Sequence, residues 1–311
     1  ASAEAGQPDP AWEMAREGQG EFVSGAVEAD LDKLFERTKE LLDSIRREYP
    51  KVILEQVITQ HTTHNTVYLN SHGVRYQTTQ GSYGVSVMFS GHEDEKSSSF
   101  NYTGFSTASL DRPFLEMGGL RQNLEDAQNQ IHTRQTEGKF EGTVIFTPDC
   151  LDGMLGELIG NFATDGVLLD GTSLWKDALG TRVADERLTI SFKPSDPRIV
   201  NGERYTGEGF LSEDYDLIER GVLKQFMISA YGANKTGKKR APNSSFSMIV
   251  EPGTTALEDI IKNTKKGLLV SRYSGGAAGT GGEFSGVAKN SFLIEDGKVG
   301  PAVSETMISG N

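Results

Sequence analysis

Between Val52 and about residue 105 the chain carries a succession of β-type runs, "VILEQVITQ", "NTVYLNSHG", "VRYQTTQ", "YGVSVMFSG" and "SSSFNYTGF", split by Gly, Asn and Ser. Connections this short leave no room for a crossover, so neighbouring runs must pair antiparallel. The pattern predicts a meander of five short strands. Helical periodicity flanks it on both sides. "DLDKLFERTKELLDSIRREY" places Leu31, Leu34, Phe35, Leu41, Leu42 and Ile45 on one face, with Asp30 as N-cap and Pro50 as terminator. "DRPFLEMGGLRQNLEDAQNQIHTRQTE" opens with Asp111 and an early Pro113 and carries Phe114, Leu115, Leu120, Leu124 and Ile131, which predicts a second long helix.

Chain order divides accordingly. Residues 1–22 read as an irregular lead-in, 23–138 as a helix–strands–helix unit and 142–311 as a second, strand-rich unit. In the second unit "GTVIFTP" is a strand feeding directly into "LDGMLGELIGNF", where Leu151, Met154, Leu155, Leu158, Ile159 and Phe162 follow helical spacing and Thr147 is placed to cap. "DYDLIE" and "VLKQFMIS" join through Arg220-Gly221 as a hairpin, and "LTISFKP" precedes them. Thr255 and Glu258 form a capping box for a helix ending at Gly267, followed by strands "GLLVSRYSG" and "NSFLIEDGKVGPAVSE", the latter turning at Asp296-Gly297. The fold class is α+β, mainly antiparallel sheet with flanking helices in two units.

Forty-four acidic against 31 basic residues give a net charge of −13, which disfavours a non-specific grip on nucleic acid or anionic lipid. No stretch reaches the roughly 20 apolar residues of a membrane span, and the N-terminal segment is polar, so the expected location is the cytoplasm. The single cysteine, Cys150, sits among apolar residues and reads as a buried, inert thiol.

Several motifs fall short of chemistry. His61 and His64 in "HTTH" point to opposite faces of an extended strand, and a shared ion would need a turn there. "GANKTGKK" has Gly232, Gly237 and Lys238 at P-loop spacing, but Lys239 replaces the magnesium-binding hydroxyl and Pro242 opposes the helix that must follow, leaving an exposed basic loop. "FSGVA" and "YSGG" lack the strand–nucleophile–helix context of a serine hydrolase. The glycine-rich segment 275–286 supports two readings, an exposed linker or a loop over a cleft. On the second, Gly281, Gly282, Glu283 and Ser285, together with Asn161, are the substrate-cleft candidates. The helix 151–162 leaves Gly153, Gly156, Glu157 and Gly160 on a nearly bare stripe. Its glycines suit close packing, and Glu157 is the candidate catalytic base.

"GGEFSGVAKNSFLIEDGKVGPAVSETMISGN" resembles the C-terminal signature of the TldD/PmbA family, the modulators of DNA gyrase, which include metallopeptidase subunits. The similarity runs back through "EPGTTALEDIIKNTKKGLLV", "SAYGANKTGKK", "DLIERGVLKQFMIS", "GEGF" and "SLWKDALG" to "NSHG" and "QPDP". The resemblance implies a further N-terminal domain and a C-terminal tail outside this chain. In the TldD-like branch the quoted helix carries His-Glu-x-x-x-His, whose histidines bind zinc while the glutamate is the base. Here those positions read Gly156-Glu157-Leu158-Ile159-Gly160-Asn161. The resemblance therefore implies the PmbA/TldE branch: no metal in this chain and zinc only in a TldD-like partner. It also implies association with that partner or with itself, and a peptide or unfolded protein as substrate. The alternatives are a stand-alone peptidase using other residues and a non-enzymatic modulator.

Overall fold

The computed structural model describes residues 13–275 and 279–311. β1 (Gln19–Gly25) leads to α1 (Leu31–Glu48), where the Asp30 carboxylate accepts from the Lys33 backbone N–H at 2.9 Å, as an N-cap should. Leu34, Leu41 and Ile45 are buried, whereas Leu31 and Phe35 of the expected apolar face are exposed. The five short runs become two long strands, β2 (Val52–Leu69) and β3 (Arg75–Glu93), followed by β4 (Lys96–Ser97) and β5 (Asn101–Thr107). Both β4 and β5 pair with β3. The expected breaks after "VILEQVITQ" and after "VRYQTTQ" do not exist: β2 runs on through the first and β3 through the second. Gly81 is instead a point of close approach: a Cβ there would lie 1.8 Å from the Ala26 carbonyl oxygen, and Ala26 N–H donates to the Gly81 carbonyl at 2.9 Å.

The second long helix is shorter than expected. Gly118 and Gly119 adopt φ of 58° and 66°, so a single 3-10 turn at Phe114–Glu116 ends before α2 (Leu120–Asn129) begins. β6 (Thr143–Phe146) then feeds α3 (Pro148–Phe162), and α4 (Asp165–Leu169) follows. The Thr147 carbonyl accepts from Cys150 and Leu151, but the Thr147 hydroxyl has no hydrogen-bond partner, so this residue caps through its backbone alone.

β7 (Ile190–Phe192), β8 (Tyr215–Glu219), β9 (Val222–Leu223), α5 (Ala230–Thr236) and β10 (Met248–Val250) come next. The order β10-β7-β8-β9 forms one sheet, with Arg220-Gly221 turning the β8–β9 hairpin as expected. α6 (Leu257–Lys262) has Ala256 as N-cap with no side-chain bond, so the expected capping box is not made. Gly267 lies inside β11 (Lys266–Gly275) rather than ending a helix, because Lys266 already pairs with Glu295. β12 (Phe284–Glu295), β13 (Lys298–Val303) and β14 (Thr306–Gly310) complete the sheet β13-β12-β11-β6, with β14 also paired to β12. Only β6 with β11 is parallel among the named strand pairs whose register is described. The fold is α+β with mostly antiparallel sheet.

Compactness groups residues across chain order. One unit holds the described residues through Phe22, Thr66–Thr78 at the end of the β2–β3 hairpin, and Ile159–Glu251. Within it, Tyr76 and Val74 pack with Phe22, Tyr68, Tyr205 and Phe210, while Arg240 stacks 3.9 Å above the Phe210 ring. The other unit holds Val23–Asn65, Thr79–Leu158 and Pro252–Asn311. In its core, Leu34, Leu41 and Ile45 of α1 meet Val85, Val87 and Phe89 of β3 and Leu120 and Leu124 of α2. Each such buried aliphatic contributes roughly 1.5–3 kcal/mol, so the helices are held to the sheet mainly by this face.

Candidate functional site

α3 is anchored by one face. Leu155, Ile159 and Phe162 are buried, and Cys150 joins Leu268, Val270 and Ala288 in the core beneath the β11–β12 sheet. The other face carries the stripe. A Cβ built on Gly153 or Gly160 meets nothing within 4 Å, so within the described chain these glycines do not serve close packing. They leave the helix face open.

In the second of the two units a cavity of about 400 Å³ lies against the first half of α3. Asp149, Gly153 and Glu157, four residues apart in turn, line it together with Cys150 and Met154. Opposite stand Ser271–Gly275 of β11, which β6 has ceased to pair beyond Phe146↔Val270. Asn101–Thr103 of β5, Asn123 of α2 and Asn290 of β12 complete the walls. Arg272 is pinned: its guanidinium donates to the Phe100 carbonyl and sits 4.8 Å from the centre of the Tyr102 ring. Asn123 donates to the Asp149 carboxylate at 3.1 Å.

Burial governs the electrostatics. It pushes the Cys150 thiol up to about 11 against a hydrogen bond from the Tyr273 backbone, with Asp149 adding to the rise, so the group is a thiol at neutral pH. Burial also raises the Tyr273 phenol, and the neighbouring Glu157 and Cys150 add to it. The Tyr273 hydroxyl is buried and unpartnered, held where only glycines fit: a Cβ on Gly286 would lie 2.4 Å from it and one on Gly275 would lie 2.7 Å away. Nearby, Asp126 of α2 is buried and accepts from Ser271 at 3.1 Å and from Gln122 at 2.9 Å.

The side chains present do not fit zinc. Gly156 offers no donor, Asn161 is a weak one, and among the described residues no three His, Cys, Asp or Glu side chains converge as ligands would. His61 and His64 lie on the uninterrupted β2, and His61 donates to the Ala26 carbonyl at 2.6 Å. "GANKTGKK" is the reverse of a phosphate loop: Gly237, with φ of 70°, ends α5 instead of opening a helix. Basic residues in and beside it are engaged locally, Lys235 with the Tyr231 ring, Lys238 with the Lys176 carbonyl and the Phe226 ring, and the following Arg240 with the Phe210 ring.

Of the sequence candidates, Glu157 lines the cavity. Asn161 lies one turn further along α3, within the other unit. Gly281 and Gly282 form a turn, Glu283 precedes β12, and Ser285 pairs with Ser309. None of these four is among the described residues that line the cavity, while Gly275, at the start of the same glycine-rich segment, is. Residues 276–278 of that loop lie outside the described residues. Sequence reasoning missed Asn101, Asn123, Tyr273 and Asn290, which stand on four separate elements, β5, α2, β11 and β12.

Residues 138–311 match the family profile of the PmbA/TldA metallopeptidase C-terminal domain. The chain is 29% identical over 171 residues to Metalloprotease PmbA of Escherichia coli O157:H7, covering 54% of this chain and 38% of that protein. It is 29% identical over 208 residues to the Zinc metalloprotease TldD homolog of Saccharolobus solfataricus, covering 62% and 46%. Its fold is similar to the crystal structure of TldE from Thermococcus kodakarensis, with a TM-score of 0.80 at 21% identity over 99% of this chain and 71% of that one. A putative modulator of DNA gyrase from Bacteroides thetaiotaomicron gives 0.74 at 22% identity, covering 91% and 64%. The fold is thus that of an α+β protein whose matched residues are of the PmbA/TldA metallopeptidase C-terminal domain, and the chain belongs to the PmbA/TldD family. Its match spans less than half the length of the two curated relatives named.

Proposed function

We propose that this chain acts as the subunit without metal in a TldD/TldE-type metallopeptidase complex that degrades or processes peptides and unfolded proteins. One combination carries the reading: Gly156 and Asn161 of α3 stand at the positions where the resemblance puts the two histidines of the metal-bearing branch, and the first half of the same helix frames a polar cavity. Relatives named as a zinc metalloprotease and as TldE support it. In this reading the cavity contacts the substrate peptide, zinc belongs to the partner, and the complex works in the cytoplasm; among the described residues no helix is long and apolar enough to cross a membrane. The test is co-expression of the full-length protein with a homologue carrying an intact His-Glu-x-x-x-His, followed by sizing and metal analysis. The expected result is a complex whose zinc is lost when the homologue's histidines are changed. A full-length protein that never associates with such a homologue sinks the proposal.

A second reading, a peptidase acting alone with Glu157 as base, draws on the position of Glu157 at the cavity wall. Peptide cleavage by the isolated chain that Glu157→Gln abolishes would favour it. A third, a non-enzymatic modulator of a nucleic-acid enzyme, rests on the printed name of the Bacteroides structure. The net charge of −13 opposes direct DNA contact in that case.

A further inference from the structure

A second cavity, of about 160 Å³, is lined only by residues of the unit that holds Ile159–Glu251 and shares none with the cavity on α3. Three charged side chains line it, the carboxylates of Asp165 and Glu208 and the guanidinium of Arg240, all half-buried. Opposite charges in so small a space would ordinarily pair, because their attraction offsets part of the solvation that burial removes. Here they do not: among the described residues neither carboxylate nor Arg240 forms an ion pair. Each is tethered to backbone instead. Asp165 accepts from the Ser229 N–H at 3.1 Å and Glu208 from the Ala230 N–H at 3.3 Å, where α5 begins. Arg240 donates to the Ala241 carbonyl at 2.7 Å, and its guanidinium carbon lies 3.9 Å from the centre of the Phe210 ring.

The segment "TGEGF", residues 206–210, sets Glu208 in place. The Gly209 N–H donates to the Thr206 carbonyl at 2.9 Å and the Thr206 N–H to the Phe210 carbonyl at 2.8 Å, so the run closes into a turn that holds Glu208, with Gly209 supplying a φ of 85°. Thr206 itself is 2% exposed and lines the cavity, and its hydroxyl has no hydrogen-bond partner. A buried hydroxyl left unpaired is costly, so it points to a ligand that completes it.

What complements this lining is one molecule that carries both signs. Its ammonium donates to Asp165 and Glu208, which keep lone pairs beyond the backbone N–H that each accepts. Its carboxylate accepts from the Arg240 nitrogens that the Ala241 carbonyl leaves free and from the Thr206 hydroxyl. The volume admits only a ligand the size of a few water molecules. Met227, Ile228 and Ala241 add apolar wall for a short aliphatic side chain.

We infer that this cavity binds a free α-amino acid with a small apolar side chain, its ammonium held by Asp165 and Glu208 and its carboxylate by Arg240. The site is independent of the peptidase reading and goes beyond it.

Calorimetry on the full-length protein tests it with three probes of similar size: L-alanine, propionate, which lacks the ammonium, and ethylamine, which lacks the carboxylate. Alanine should bind about tenfold or more tightly than either, the range of one charge-assisted hydrogen bond. Glu208→Gln and Arg240→Gln should each weaken alanine about tenfold, while Lys239→Gln, which removes an exposed charge beside Arg240 and outside the lining, leaves it unchanged. Thermal melts confirm that the variants fold, and the three probes decide on the wild-type protein alone if one does not. No binding of alanine at millimolar concentration overturns the inference. So does a propionate or ethylamine affinity equal to that of alanine, or alanine binding that survives both substitutions.

Discussion

The Ser271 hydroxyl donates to the Asp126 carboxylate at 3.1 Å, tying α2 to β11 across 145 positions of sequence. Both residues are more than nine-tenths buried, and burial, opposed by the hydrogen bonds of Gln122 and Ser271, raises the Asp126 carboxyl above its ordinary range. Within the interval between the ordinary carboxylate value and that raised value, the folded protein holds a proton that the unfolded chain has released. Stability therefore falls as pH rises through the interval and is regained on acidification through it. Asp126→Asn keeps a group able to hydrogen-bond both neighbours, so it should flatten this dependence and change stability at neutral pH by less than about 1 kcal/mol. Asp126→Ala leaves Ser271 and Gln122 without their acceptor and should cost about 1–3 kcal/mol. Urea titrations across pH measure both, and a wild-type curve that rises through the interval contradicts the assignment.

Cys150 should resist alkylation. With the thiol pushed up to about 11, only about one molecule in a thousand is thiolate at pH 8. Iodoacetamide should react slowly with the native protein at that pH and rapidly once urea unfolds it. Native and denatured rates that agree would show the thiol to be exposed.

Gly160→Ala should stabilise the protein by about 0.5–1 kcal/mol, because alanine favours the helix and the added Cβ meets nothing within 4 Å. A destabilised variant in a thermal melt would mean that the stripe is packed against something.

Gly81→Ala should do the reverse. Its Cβ would fall 1.8 Å from the Ala26 carbonyl oxygen, a backbone atom that cannot step aside, and the strain should cost about 1–3 kcal/mol. Measuring it beside Gly160→Ala in the same assay separates glycine used for room from glycine that merely occupies a helix.

The sequence by itself determined what depends on near neighbours. Asp30 caps α1 because its carboxylate reaches a donor three residues on, and Arg220-Gly221 and Asp296-Gly297 turn their hairpins because they accept positive φ. Helical spacing likewise put Gly153 and Glu157 on one face of α3, and both line the cavity. Local reasoning erred where distant contacts overrule it. β2 and β3 run through points that look like turns because the two strands are hydrogen-bonded neighbours in one sheet. Thr255 and Glu258 form no capping box because the helix starts at Leu257 instead. The cavity belongs wholly to tertiary structure. Glu157 faces Tyr273, and Asn290 meets Asn101, only because the β11–β12 sheet brings chain separated by more than a hundred residues to one helix face. Spacing along a chain cannot encode that juxtaposition; the packing of α2 and α3 on the sheet decides it.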